Sequence, residues 1–512
     1  MLDFVTPHSP AAVLLSVVAI SSWLLHAYWR FQDRRAPPGP TGDPIFGIAR
    51  HIPKSHLHLY LTELNKQHGD LAYFRVFAVK GLTVGSYKHI TNLFSRRGLV
   101  YSDRPPLPMN DIHVGVGGHS PVTKWGDKWN EERRMFVSHM GKDVVRNSYR
   151  ADVIQEAREG VLRASRNSVN NSWDFFQTLL RTFIHTIYGI KIESKDDPIL
   201  KAAVAGTGLA SASAVPSRHL VNVLPFLTYV PDWFPGTHWK ALGRMWKEQV
   251  TQMKLLPFTQ MLKNQEGGTA MESFSSRMLQ DPQRTLTDDQ VMHTAGSCFI
   301  AGTETSSGTV MYFIWAMLMY PEVQKKAQQE VDHVVGTDRL PTHEDYANGG
   351  MPYVESIFKE ILRWRPGAPW GIPHATTKDD EYEGYLIPKG TVIFQNSWAI
   401  SRDPELYEDA EQFNPDRFMV SDSPLDPRSF VFNVGRRSCP GQFYAELVDV
   451  SNMITLLATM DIVKPIDKAG NVIEPSSETT GKLTNLPVPF QYVLKPRSPE
   501  SLALLEAAVG AA

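Results

Sequence analysis

The sequence predicts a mainly α-helical protein carrying small β sheets, built as one large body behind an apolar N-terminal segment. Three observations predict it. A mostly apolar stretch runs from a helix-opening capping box, Thr287-Asp-Asp-Gln290, to Tyr320, where Pro321 stops it. Segments from Arg150 to Gln280 are helical in pattern and broken by prolines, as in Val230-Pro-Asp-Trp-Phe-Pro235. The strand-like runs are short and divided by glycine: Tyr73 to Val76 and Leu82 to Val84 around Gly81, and Gly384 to Ile393.

Composition bounds the function. Apolar residues make up 42% and charged residues 21% of 512 residues, ordinary values for a globular chain. With 52 basic against 54 acidic residues, no charge excess suits a nucleic-acid partner. The two cysteines, Cys298 and Cys439, are too few and too distant in sequence for a disulfide framework, which points to a reducing compartment.

The chain divides at its start. Ala11 to Trp29 contains no Asp, Glu, Lys or Arg and approaches the roughly 20 residues of a membrane-spanning helix. Arg30, Arg34 and Arg35 follow, so the body lies on the cytoplasmic side. We therefore divide the sequence into an anchor at 1–30, a basic and proline-rich hinge at 31–45, a body at 46–498 and a tail at 499–512. Within the hinge, Ala36-Pro-Pro-Gly-Pro40 is stiff and extended because each proline fixes its own φ and restrains its predecessor.

Candidate chemistry sits in four places. Trp129 and Arg133 lie four apart, on one face of a helix. Glu304-Thr305 follows Ala301-Gly302 in the middle of the long apolar helix, where an acid is costly unless it has a partner or a task. Glu360 and Arg363 are three apart on a helix, with Arg417 downstream in Phe413-Asn-Pro-Asp-Arg417. Finally, Phe432-Asn-Val-Gly435-Arg-Arg437-Ser-Cys439-Pro-Gly441 places a cysteine after two arginines, which favour its thiolate. From the residues alone, Cys439 is either a buried structural thiol or a metal ligand.

The last stretch matches F-x-x-G-x-R-x-C-x-G without a mismatch and resembles the haem-binding loop of the cytochrome P-450 family. Ala-Gly-x-Glu-Thr-Ser at 301–306 resembles that family's oxygen-activation motif. The anchor, hinge, propionate helix, acid–arginine triad and cysteine loop follow in family order. The resemblance implies the cytochrome P-450 fold, with haem b (iron protoporphyrin IX) between the long helix and the cysteine loop. It implies Cys439 as axial thiolate, whose electron push favours O–O cleavage. Trp129, Arg133, His374, Phe432, Gly435, Arg437 and Gly441 would hold the haem, with Arg133, Arg437 and His374 at its propionates. Glu304 and Thr305 would feed and orient protons beside bound O2, with Gly302 leaving room for it. Glu360, Arg363 and Arg417 would form a structural triad. The substrate pocket would draw on Ile112 and Val114, Phe299 and Ala301, Ala368, Trp370 and Ile372, and Leu486.

The activity implied is monooxygenation of a small lipophilic substrate, with electrons from NADPH through cytochrome P-450 reductase and with cytochrome b5 as a further donor. Stretches around Trp364 and Trp398 resemble fungal microsomal members that tailor terpenoid, polyketide or indole secondary metabolites. The location implied is the endoplasmic reticulum membrane, single-pass, with the catalytic domain cytosolic. A haem protein that binds or senses small ligands without turnover is the alternative, and the Glu304–Thr305 pair discriminates against it, since ligation alone needs no proton relay.

Overall fold

A computed structural model describes residues 33–510 except 117–120 and 216–217, together with Pro10, Val13, Leu14, Ser16, Val17, Ile20, Ser21 and Leu24. These earlier residues are helical and exposed. Among the described residues no helix is long and apolar enough to cross a membrane. Most of the apolar run expected to do so, Ala11 to Trp29, lies outside them.

The helices of twelve residues or more are α1 (Leu57–His68), α2 (Asp127–Met140), α3 (Arg150–Ser165), α4 (Ser172–Tyr188), α5 (Pro198–Ser213), α6 (His238–Glu266), α7 (Asp288–Met319), α8 (Pro321–Val335), α9 (Pro352–Trp364), α10 (Gln442–Thr459) and α11 (Pro499–Gly510). The strands are β1 (Leu71–Val76), β2 (Val79–Val84), β3 (Asn170–Asn171), β4 (His374–Ala375), β5 (Asp380–Tyr382), β6 (Tyr385–Ile387), β7 (Val392–Gln395), β8 (Met460–Val463) and β9 (Gln491–Pro496). They form sheets in the orders β1-β2-β7-β4, β3-β9-β8 and β5-β6.

Two strand expectations need correction. The β1–β2 turn is Phe77-Ala78, with Phe77 at φ 51°, and Gly81 lies inside β2 opposite Phe74. A Cβ at Gly81 would come within 2.3 Å of the Phe74 ring, so this glycine makes room for an aromatic across the pair. Strands β6 and β7 do not pair with each other: β6 pairs with β5, and β7 lies between β2 and β4. The proline-rich stretch is also no free hinge, because Tyr73 N–H donates to the Pro38 carbonyl at 2.8 Å and the segment lies along the outer side of β1.

Helix α7 organises the body. Thr287 Oγ accepts from Gln290 N–H at 3.3 Å, and Gln290 Oε1 accepts from Thr287 N–H at 2.8 Å, so the capping box starts the helix where expected. Its 32 residues give a rod of ~48 Å at 1.5 Å per residue. It packs against α4, α5, α6 and α10 and is buried over most of its length. Pro321 does not merely stop it. Proline lacks the N–H that a first helical turn leaves unused, and here it opens α8.

Candidate functional site

The site is organised by two elements, the middle of α7 and the loop that leads into α10. Within the buried helix α7, Ala301 is exposed, and Gly302 and Thr305 are partly so. Cys439 lies close enough to Cys298, one turn before Ala301, for its charge to add to the rise that burial gives the Cys298 thiol. Its loop is closed by Cys439 N–H donating to the Phe432 carbonyl at 2.7 Å. Gly435 sits at φ +70°, and a Cβ there would fall 2.0 Å from the Phe94 carbonyl oxygen, so only glycine fits the turn. At Gly441 a Cβ would meet nothing within 4 Å. Burial pushes the Cys439 thiol up, while the Gly441 N–H and the charge of Arg133 pull it down. The cation acting on the sulfur is thus Arg133 rather than the neighbouring arginines; Arg436 is exposed and lies over Trp125.

Three arginines gather beside this loop, Arg104 and Arg437 buried and Arg133 half-buried. Arg133 donates to the Ser438 carbonyl at 2.6 Å. Arg437 donates to the carbonyls of Ser102 at 2.8 Å and Thr123 at 2.9 Å, and its guanidinium lies 4.1 Å above the Trp129 ring. Burial pulls Arg437 down to about 10. Arg104, which the sequence reading missed, donates to Pro121, Ile372 and Pro373 carbonyls. Burial and the neighbouring Arg437 depress its charged form strongly. Among the described residues, neither Arg104 nor Arg133 makes a salt bridge to a carboxylate. Arg104 is buried and held only by carbonyls, so its charge is incompletely compensated, and the half-buried Arg133 has only the Ser438 carbonyl and hydroxyl. A flat group with two carboxylates would supply that compensation, while the exposed Ala301 and the open side of Gly441 would accept its plane. These residues therefore fit a haem ligated by Cys439. Among the described residues no three His, Cys, Asp or Glu side chains converge as a separate metal site.

His374 is held from two sides. Its Nδ1 lies 2.7 Å from the Tyr101 carbonyl, which can only accept, so Nδ1 carries the proton. Its Nε2 lies 3.0 Å from the Asn433 amide nitrogen and accepts from it. Burial holds the ring neutral, and it stacks on Phe94 at 4.1 Å. With both nitrogens occupied, His374 fastens the sheet to the cysteine loop.

On α7, Glu304 is buried and accepts a hydrogen bond from Ser211 of α5, with Thr484 as a second hydroxyl partner. Burial raises its carboxyl above the usual range, and the two hydroxyls oppose the rise. Thr305 Oγ donates to the Ala301 carbonyl at 2.8 Å and the Gly302 carbonyl at 3.2 Å. Successive helical residues are about 100° apart around the axis, so acid and alcohol face different neighbours. Gly302 also faces elsewhere: a Cβ there would lie 2.3 Å from Phe183 of α4, so the glycine lets two helices meet.

The structure brings Glu360, Arg363 and Arg417 together. Arg363 donates to both Glu360 oxygens at 2.7 Å, and Arg417 Nε reaches Glu360 Oε1 at 3.3 Å. The expected pocket residues separate into two groups. Ala301 and Ile112 are exposed, and Ala368 and Ile372 half-exposed. Val114 and Phe299 belong to the helical core, and Leu486 packs on α7 at Gly308. Trp370 is 1% exposed, packed with Phe74 and Phe394 in the sheet core, so it offers no aromatic wall. A groove of about 820 Å³ beside the four-stranded sheet, lined in part by Tyr60, Phe74, Leu107 and Leu220, includes neither Cys439 nor any residue of α7.

Comparison with known proteins places the arrangement. The family model described as "Cytochrome P450" matches residues 37–492. Over 97% of this chain and 95% of the relative, the sequence is 33% identical to cytochrome P450 monooxygenase COX2 of Coprinopsis cinerea. It is 32% identical to cytochrome P450 monooxygenase claR of Ampulloclitocybe clavipes over 97% of this chain and 93% of the relative. It is 31% identical to a cytochrome P450 monooxygenase of Armillaria gallica over 96% and 98% respectively.

Proposed function

The chain belongs to the cytochrome P450 family, a haem-thiolate monooxygenase using O2 and reductase-delivered electrons, and from that premise we propose that it oxidises a small lipophilic substrate in fungal secondary metabolism. The observation that carries this reading is the juxtaposition of the Cys439 loop with an exposed turn in the middle of the largely buried helix α7, which also bears Glu304 and Thr305.

In this reading Cys439 would ligate the haem iron, and the bound haem would supply the oxygen-activating chemistry. The chain's residues do the rest. Arg104, Arg133 and Arg437 would pair with the propionates, Trp129 supports the Arg437 guanidinium, and Phe432, Gly435 and Gly441 shape the loop. Glu304, whose carboxyl burial raises above the usual range, would carry a proton within the site, and the Thr305 hydroxyl would orient one toward the open side of α7. Glu360, Arg363 and Arg417 keep the segment below the haem in place. Ala301, Ile112, Ala368 and Ile372 line the substrate space.

Several observations support a lipophilic substrate and a bilayer location. The four exposed lining candidates carry no charge. Phe226, Tyr229, Trp233 and Phe234 are exposed along one stretch of sequence, with Tyr229 86% and Trp233 80% exposed and the Trp233 and Phe234 rings 6.1 Å apart, close in sequence to the groove residue Leu220. Single exposed apolar residues are ordinary, whereas a cluster marks a contact surface. Together with the apolar N-terminal run, this group favours single-pass anchoring in the endoplasmic reticulum membrane with a cytosolic body. NADPH cytochrome P450 reductase, with cytochrome b5 as a further donor, is the partner suited to that location.

The test is product analysis by mass spectrometry. Microsomes carrying the chain and a reductase should convert members of a terpenoid, polyketide and indole panel to products one oxygen heavier. Conversion of none of them, in microsomes with a normal reduced carbon-monoxide spectrum, would remove the substrate assignment.

A further inference from the structure

Hydroxyl side chains inside a helix tend to bond to the carbonyl one turn back, and several of this protein do so. Thr207 of α5 donates to the Ala203 carbonyl at 2.7 Å, and on α7 Thr303 and Thr305 donate to the Phe299 and Ala301 carbonyls at 2.7 and 2.8 Å. Ser211 of α5 does otherwise. Its single hydroxyl hydrogen goes across the contact between α5 and α7, to Oε2 of Glu304.

A second observation places the other carboxyl oxygen. Gly208 precedes Ser211 by three residues and so lies on the same face of α5. A Cβ built at Gly208 would lie 3.9 Å from Glu304 Oε1. Both oxygens are thus set against α5, one at a hydroxyl and one above a position without a side chain. Glu304 and Ser211 are both buried. The acid carried by α7 is therefore oriented by a helix that belongs neither to α7 nor to the cysteine loop.

We propose that Ser211 is a positioning residue for Glu304: its hydroxyl fixes the carboxyl against α5, so that the placing of the site's acid depends on α5 as well as on α7. A donor to the ionised form stabilises that form. Ser211 therefore opposes the rise that burial gives the Glu304 carboxyl, and without the hydroxyl the carboxyl keeps its proton to higher pH. Lys482, the charged side chain that acts on Glu304, and Thr484 pull in the same sense as Ser211 and stay in place when Ser211 is changed.

This inference rests on the reading of Glu304 as the site's acid, and the test separates the two. Ser211→Ala removes only the hydroxyl oxygen, while Ser211→Thr and Ser211→Val share a shape and differ in the hydroxyl. Denaturant unfolding of holoenzyme is followed from about pH 4 to 8. Wild type loses stability as pH rises from the ordinary carboxyl value of 4.5 through the raised one. In Ser211→Ala and Ser211→Val that loss should continue to higher pH, and in Ser211→Thr it should follow wild type. In a Glu304→Gln background the effect of Ser211→Ala should be the same at every pH. The second readout is the rate at which dithionite-reduced holoenzyme returns to the ferric spectrum in oxygenated buffer. It should change severalfold in Ser211→Ala and Ser211→Val, in the same direction as in Glu304→Gln, and stay near wild type in Ser211→Thr. Ser211→Ala carries the expectation alone should either β-branched variant fail to fold. An unchanged pH dependence in Ser211→Ala, equal effects of Ser211→Thr and Ser211→Val, or a wild-type rate in Ser211→Ala while Glu304→Gln is altered would overturn this inference alone. An unaltered rate in Glu304→Gln would overturn the reading of Glu304 as the acid, whatever the unfolding shows of its contact with Ser211.

Discussion

Ser211 of α5 donates a hydrogen bond to the Glu304 carboxyl of α7, joining the helix above the site to the helix that carries its acid. The consequence is a pH dependence of known sign. Burial raises the Glu304 carboxyl above its ordinary value of 4.5 in the folded protein. The folded state therefore holds this proton more tightly than the unfolded state, and stability is lost as pH rises from the ordinary value through the raised one. Each unit of rise corresponds to about 1.4 kcal/mol. Glu304→Gln has no such penalty. Its unfolding midpoint relative to wild type should increase with pH from about 4.5 upward; a constant difference across pH 4–8 would show that Glu304 titrates normally.

Cys439→Ser removes the proposed ligand with little change in volume. The carbon-monoxide complex of reduced wild type should show the red-shifted Soret band of a thiolate ligand, and the variant should not. Persistence of that band would exclude Cys439, leaving the buried Cys298 as the only other thiol in the chain.

Glu360 and Arg363 are both fully buried and doubly hydrogen-bonded. Removing one partner of such a pair strands a charge, at about 3–5 kcal/mol. Glu360→Ala should therefore fail to accumulate as holoprotein, or unfold at much lower denaturant. Arg417→Ala should be milder, since Arg363 still compensates Glu360. Equal losses in the two variants would contradict this ranking.

Much of this architecture was legible in the sequence wherever a local rule governs a local outcome. The capping box fixed the start of α7, and the glycine at φ +70° in the cysteine loop was readable as a tight turn. What was not legible depends on long-range placement. Arg104 carries no local mark beyond an arginine before two prolines, and its role appears only when 268 residues of separation are closed by its bond to Ile372. His374 stood at a position suited to a propionate contact, but Tyr101 and Asn433 occupy both of its nitrogens. Trp370 shows the same limit: an aromatic near a pocket strand is as well suited to the sheet core as to the pocket, and contact with Phe394 decides.

Gly302 provides the sharpest separation between a chemical and a packing role. A Cβ at this position would sit 2.3 Å from Phe183 Cε1, below any tolerated contact, so Gly302→Ala must displace a ring that is itself 1% exposed. Overpacking of this kind costs about 1–3 kcal/mol, while replacing glycine by alanine within a helix returns about 1 kcal/mol. The net expectation is a loss of up to about 2 kcal/mol by these two estimates. A double-mutant cycle tests the cause. In a Phe183→Ala background the obstructing ring is gone, and Gly302→Ala should become neutral or stabilising, even though Phe183→Ala alone costs about 3–5 kcal/mol through its cavity. If Gly302 instead serves chiefly to leave room for oxygen, the alanine should be tolerated in the folded protein, and its defect, measured as the rate of return to the ferric spectrum in oxygenated buffer, should persist unchanged when Phe183 is removed.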